Sequence, residues 1–316
     1  MNFPKALAIL GPTASGKTNL ALRLAEHLPM EIISLDSALI YRDMNIGTAK
    51  PSAEELARVP HHLIDIISPL ESYSAAEFVS DCLRLCGEIH ERGNLPLIVG
   101  GTMMYYHALV NGLNDLPEAD DAVRAQLQQD KQIHGLAHLY RRLQEVDPAT
   151  AQRLEPGDSQ RIERALEVWM LTGKPLSEHF AEQAAYTVPL DIHAVALFPE
   201  NRKRLHENIS LRFHTMLEQG FTDEVKALQA TYPGLTADMP SMRCVGYRQA
   251  WDYLAGESDY ETFVEKGIAA TRQLAKRQMT WLRKLPADTL IDPYQSDDAL
   301  AVVLQNAQSY FSYSIK

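Results

Sequence analysis

An eight-residue stretch near the N-terminus constrains this chain more than any other feature. Gly11-Pro12-Thr13-Ala14-Ser15-Gly16-Lys17-Thr18 has the spacing G-x-x-x-x-G-K-[ST]; a short apolar run, Lys5–Leu10, precedes it and a helical pattern, Asn19–His27, follows. Strand, glycine-rich loop and helix in that order build a cradle for a diphosphate. The glycines let backbone N–H groups face the phosphates, the helix N-terminus adds a favourable dipole, and Lys17 reaches the outer phosphates. The Thr18 hydroxyl is offered to Mg²⁺. The loop specifies a diphosphate; it does not specify ATP.

The pattern around the loop sets the fold class. Lys5–Leu10, Glu31–Leu35, Leu63–Ile67 and Leu95–Val99 read as strands, and Asn19–His27, Ala75–Arg92 and Met103–Val110 as helices between or after them. Strands alternating with helices imply a parallel sheet covered on both faces, here an α/β, P-loop NTPase-like core. From about residue 114 the pattern turns wholly helical through Asp121–Gln132, Leu136–Val146, Pro148–Leu154 and Ser159–Leu171. Asp147 supplies an N-cap with Pro148 at the first helical position, and Gly173 and Pro175 close the last of these helices. A strand returns at Ile192–Phe198, followed by helices near Arg202–Gln219, Thr222–Ala230, Tyr247–Leu254 and Tyr260–Arg283. The expected organisation is a catalytic core, 1–113 and 190–316, with an all-helical insertion, 114–189.

Composition excludes several classes. Hydrophobic residues make up 46% of 316, enough for a packed core, and no apolar run reaches the roughly 18 residues of a membrane span. The first apolar run is too short for a signal-peptide core and lacks a cleavage site, so the chain is expected in the cytoplasm, as a monomer without a membrane partner. Cys82, Cys86 and Cys244 lack the partners of a zinc site and read as free thiols. His61, His62 and Asp65 invite a metal reading but have no third ligand in reach, so they read as structural. The net charge of −11 argues mildly against a nucleic-acid partner, yet Lys266–Lys284 carries six basic residues and no acidic one. An ordinary solvated face mixes both signs, so this stretch marks a basic patch.

What stands beside the P-loop narrows the chemistry. A P-loop kinase or ATPase usually has an apolar strand ending in Asp, but Leu95–Val99 runs into Gly100-Gly101-Thr102, and Asp36 follows the second strand instead. Thr102 is placed to cap the next helix and, at the C-terminal end of a strand, to face the crevice.

These residues, with GPTASGKT (11–18), DSALIYRDMNIGTAKP (36–51), HHLIDI (61–66), YSAAEF (73–78), IVGGT (98–102), SQRIERALE (159–167), RCVGYRQ (243–249) and ATRQLAKRQMTWLR (270–283), resemble the tRNA dimethylallyltransferase (tRNA isopentenyltransferase) family in order along essentially the whole chain. The resemblance implies that residues 11–18 bind the diphosphate of dimethylallyl diphosphate. It places Asp36 beside the exocyclic amine of the target adenine, with Thr102 on the opposite side. The implied target is the adenosine 3′ of the anticodon in tRNAs reading codons that begin with U. Leu39 and Met103 depart from the Gln and Gly of many relatives.

The reaction so implied is attack of adenine N6 on C1 of an allylic diphosphate. The amine is a poor nucleophile, so a carboxylate that takes its proton helps, and Asp36 fits that role; a metal-shell carboxylate or a helix cap is its alternative. Lys17, the loop amides and Mg²⁺ on Thr18 neutralise the leaving diphosphate. Arg212 matches a family arginine at the diphosphate and otherwise reads as a surface arginine on an amphipathic helix. The base must also leave its stack, so the anticodon stem-loop has to be held. The expected RNA contacts are Asp36, Ser37, Ala38, Leu39 and Thr102; Arg124; Gln160, Arg161, Ile162, Glu163 and Arg164; Arg243, Cys244, Val245, Gly246, Tyr247 and Arg248; and Arg272, Lys276, Arg277, Gln278 and Arg283. The rival reading is a P-loop kinase of a small metabolite or nucleotide, which explains 11–18 but not the basic helix or the Gly-Gly-Thr strand end.

Overall fold

The computed structural model describes residues 3–113, 116–117, 119–182, 187–295 and 299–311. The chain divides into two compact units, Met1–Val110 with Val188–Lys316, and Asn111–Thr187. The expected boundary at Asn114 lies outside the described residues.

The first unit is built on six parallel strands: β1 (Lys5–Leu10), β2 (Met30–Leu35), β3 (His61–His62), β4 (Leu95–Gly100), β5 (Asp191–Leu197) and β6 (Thr289–Ile291). Their order across the sheet is β3-β2-β4-β1-β5-β6. The inner strands are apolar throughout because both faces are covered. On one face Ala6, Ala8, Leu10, Ile33, Leu35 and Ile98 meet the helix Ala75–Glu91 through Phe78, Cys82 and Leu85; on the other Leu7, Ile9, Leu97 and Val195 meet the helix Lys17–Ala25 and the C-terminal helix Ala299–Phe311. A third cluster joins Ile40, Tyr41 and Met44 to Phe213, Phe221, Tyr247 and Phe263 from the helices that follow β5. Chain from β1 crosses to β2 on one side of β4, and chain from β4 returns to β5 beyond β1. The crevice at their C-terminal ends is the switch point where such sheets bind ligands.

Most expected elements are present within a residue or two. The strand expected at Leu63–Ile67 is not. Pairing stops after His62, because Leu63 and Asp65 take left-handed backbone (φ 62° and 57°), and only Ile67 returns, as an isolated bridge to Tyr41. The helices Ala53–Arg58, Leu176–Glu182 and Ala299–Phe311 and strand β6 have no counterpart among the expected elements. Ala53–Arg58 does carry a readable signal, a capping box between Ser52 and Glu55.

The second unit is helical throughout its described residues, with a core of Leu127, Leu139, Leu143, Ile162, Leu166 and Val168. Asp147 caps the helix Pro148–Arg153 by accepting from the Thr150 N–H, and Gly173 ends the helix Ser159–Thr172 with φ 69°. Glu167, almost fully buried, accepts from Arg124, Arg164 and the Asp120 N–H, which offsets the cost of burying its charge.

Candidate active site

The ends of β1, β2 and β4 bring three short segments together. The P-loop turns tightly into its helix: Gly16 has φ 87°, the Ser15 hydroxyl donates to the Pro12 carbonyl at 2.8 Å, and Lys17 Nζ donates to the same carbonyl at 2.6 Å. The N–H groups of Ala14 to Thr18 have no acceptor among the described residues, which leaves a row of donors at a helix N-terminus. Thr18 is exposed at the same mouth.

Asp36 follows β2 directly. One carboxylate oxygen accepts from the Ala38 N–H (2.8 Å) and, more weakly, from that of Leu39 (3.4 Å), which orients the side chain without using its second oxygen. Neighbouring strand ends are drawn together by main-chain bonds, since the Leu35 carbonyl accepts from both Gly101 and Thr102. No side chain fits there: a Cβ on Gly100 would lie 2.0 Å from the Leu35 oxygen. This close approach is why the strand ends in glycines. Thr102 does not spend its hydroxyl on its own helix; Oγ1 accepts from the Ser37 N–H at 3.0 Å, tying β4 to the Asp36 loop.

One pocket, wholly within the first unit, is lined by Lys17, Thr18, Asp36, Leu39 and Gly101, by Arg212 from the helix Arg202–Glu218, and by Cys244 to Tyr247. Ile209, Phe213, Met216 and Leu274 give it an apolar wall. Its electrostatics are strained in a useful direction. Burial pulls the Lys17 pKa down to about 7, opposed by Asp36 and reinforced by Arg212. Burial also lowers the Arg212 pKa, again opposed by Asp36. Two desolvated cations beside one carboxylate and a row of backbone donors form a receptor for an anion of more than one charge. Burial, with Asp36 nearby, pushes the Cys244 thiol up to about 12, so it is not a nucleophile here.

Other expected contacts are distributed unevenly. Ser37, Arg124, Gln160, Arg161, Arg243, Lys276, Arg277 and Arg283 are exposed; Ala38, Cys244 and Val245 are half-buried. Ile162 is fully buried in the core of the second unit, so its side chain cannot reach RNA: the helical period placed it with Leu166 on the core-facing side. Tyr247 is likewise buried, its hydroxyl donating to Glu224, and Gly246, with φ 95°, lies against the Phe221 ring. Glu163 is engaged by Lys131 and Ser159, Arg164 by Glu167, and Arg248 by Asp252 and the Ala237 carbonyl. Arg272 is half-buried and Arg283 lies over the Phe198 ring, so the basic helix is not one free stripe. Gln278 spends its amide inside the fold, accepting from the Thr13 N–H (2.8 Å) and donating to the Gly101 carbonyl (2.9 Å).

Some functional contacts are missed by sequence reasoning. Gln278 clamps the P-loop to the end of β4, and Tyr294 reaches Ala14, whose φ is 61°, by donating to its carbonyl at 3.3 Å. His61 and His62 are structural as expected: His62 meets the buried Glu31, and His61 meets the Val59 carbonyl. Among the described residues no cluster of three His, Cys, Asp or Glu is placed to hold a metal.

The sequence profile of the IPP transferase family matches residues 39–285. This chain belongs to that family. A tRNA dimethylallyltransferase of Neisseria meningitidis serogroup C (strain 053442) is 66% identical over 311 residues, covering 98% of this chain and 99% of its own. One from Chromobacterium violaceum is 57% identical over 308 residues, covering 98% and 94%. The crystal structure of a tRNA isopentenylpyrophosphate transferase from Bacillus halodurans superposes with a TM-score of 0.70 at 36% identity, covering 98% and 97%. A eukaryotic dimethylallyltransferase solved while acting on tRNA gives 0.81 at 28%, covering 98% and 79%. Family membership removes the kinase reading.

Proposed function

We propose that this enzyme transfers a dimethylallyl group from dimethylallyl diphosphate to N6 of the adenosine 3′ of the anticodon, in tRNAs reading codons that begin with U, in the cytoplasm. The observation that carries the reading is the pocket itself: phosphate donors, an apolar wall and a carboxylate meet in one crevice. The loop amides, Lys17 and Arg212 hold the diphosphate and stabilise the charge that grows on it as the C1–O bond breaks. Ile209, Phe213, Met216 and Leu274 offer the five-carbon chain an apolar surface, which also keeps water from the allylic carbon. Asp36, held by the Ala38 N–H through one oxygen, presents the other to the adenine amine and takes its proton as the N6–C1 bond forms. Thr102 and Ser37, joined by a hydrogen bond, frame the opposite side.

The residues suit Mg²⁺ bound with the substrate rather than in a protein cage. The exposed Thr18 hydroxyl is a hard donor at the phosphate mouth, and Mg²⁺ takes one or two protein ligands plus phosphates and water. When bound it would add positive charge to the leaving diphosphate. Arg161, Arg243, Lys276 and Arg277 would neutralise tRNA phosphates, and Arg124, whose Nε is held by Glu167, would offer its remaining N–H groups to one more.

Incubation with unmodified tRNA, Mg²⁺ and labelled dimethylallyl diphosphate, followed by nucleoside mass analysis, tests the reading. Label on adenosine without ATP is expected; a strict ATP requirement or ADP formation refutes it.

A further inference from the structure

Glu224 stands outside the pocket, yet four hydrogen bonds run from its neighbourhood toward it. One carboxylate oxygen accepts from the N–H groups of Asn45 (2.9 Å) and Ile46 (2.7 Å). The other accepts from the Gly47 N–H (3.1 Å) and the Tyr247 hydroxyl (2.5 Å). Three successive backbone donors converging on one anion form a nest, and here the protein fills its own nest. Gly47 lies so close to this anchor that a Cβ would sit 2.1 Å from the Phe221 ring and 2.6 Å from the Tyr247 ring. The next residue is Thr48, whose carbonyl accepts from Arg212 Nη2 at 3.3 Å. Arg212 lines the pocket beside Lys17 and Asp36, and no carboxylate among the described residues forms an ion pair with it.

We propose that Glu224 is a positioning residue for the transfer reaction: it fixes residues 45–47 so that the Thr48 carbonyl aims the Arg212 guanidinium at the substrate diphosphate. The role rests on the reaction proposed above. A guanidinium with a single neutral acceptor keeps most of its donors for the substrate, but only if that acceptor does not wander. Without Glu224 the three amides have no acceptor, and the loop must rearrange to find one. Gln in its place supplies one carbonyl oxygen and turns an NH₂ group toward a donor, so at least one of the four bonds is lost.

The test is a double-mutant cycle on the full chain with tRNA and Mg²⁺, comparing Glu224→Gln, Arg212→Gln and the pair. Glu224→Gln should lower kcat/KM for dimethylallyl diphosphate by about 10- to 100-fold, the cost of misplacing a group by ångströms. Its tRNA affinity should stay within about twofold, and in the Arg212→Gln background the same change should cost less than about threefold, because coupled residues are not additive. Amide exchange across 44–50 should quicken in Glu224→Gln. Should that variant not fold, Tyr247→Phe removes one of the four donors, and its loss must likewise shrink when Arg212 is Gln. Additive losses in the cycle, or unchanged exchange at 44–50, overturn the role. No label transfer by the unaltered protein overturns the reaction as well.

Discussion

The low pKa of Lys17 makes diphosphate binding a proton-linked event, and its sign can be worked out. In the free protein the ammonium is half protonated near pH 7, because burial lowers its pKa to about 7. A diphosphate against it restores the ordinary preference for the charged form, so binding must draw a proton from solution whenever the amine is neutral. Proton uptake should therefore be about 0.5 per site at pH 7 and nearly 1 at pH 8.5. Apparent affinity should fall about tenfold, or about 1.4 kcal/mol, for each pH unit above 7. The ligand's own titration is complete by then, its last phosphate pKa lying near 6. Calorimetry with dimethylallyl diphosphate in two buffers of different ionisation enthalpy reads the uptake directly. Lys17→Arg supplies the control, since a guanidinium stays charged throughout this range and its profile should be flat. An unaltered protein whose affinity is level from pH 7 to 9, or an arginine variant with the same slope, would show that Lys17 is not the linked group.

Asp36→Asn keeps the side chain's shape but not its basicity, and should slow single-turnover transfer by about 10²–10⁴-fold while tRNA affinity changes little; a rate within a few-fold of normal removes Asp36 as the base. Glu31 is buried, and bidentate hydrogen bonds from Arg92, then Asn94 and His62, hold its pKa down at about 2 against the cost of burial. Its stabilisation is complete above the ordinary value of 4.5 and is lost as pH falls toward 2; discounted for the exposed Arg92, it amounts to about 2 kcal/mol. Denaturant titrations at pH 7 and 3 should thus show a smaller acid loss in Glu31→Gln, and equal losses would refute the assignment. Lys276 and Arg277 are exposed on the basic helix, and changing both to Gln should weaken tRNA binding at low salt and flatten the salt slope by about 1 to 2; an unchanged slope marks a solvated face.

What the sequence makes legible at the site is what lies in contiguous motifs. The P-loop, Asp36 and Gly100-Gly101-Thr102 each sit at the C-terminal end of a strand, so local pattern and the switch-point rule are enough to place them together. Gln278 and Tyr294 reach the P-loop across 265 and 280 residues, and Glu224 reaches Gly47 across 177. No local period encodes such pairings. Ile162 fails for the opposite reason: a motif match says that a segment matters, not which of its side chains faces out. The missing strand at Leu63–Ile67 is apolar enough for a sheet, but its backbone turns left-handed twice, which residue types other than glycine rarely announce.

The bonding of Leu35 to Gly101 and Thr102 bears on how this site tolerates change. Main-chain bonds set how closely β2 approaches the end of β4, and the Thr102 hydroxyl adds one bond to the Ser37 N–H, so the spacing between positions 36 and 102 does not depend on the side chain at 36. Substitution at 36 exchanges chemistry upon an unaltered frame, whereas any residue but glycine at 100 pries the frame open. Inherited variation and laboratory redesign therefore meet opposite constraints within one crevice: structural freedom at the reacting carboxylate, and none at the small residue that spaces it.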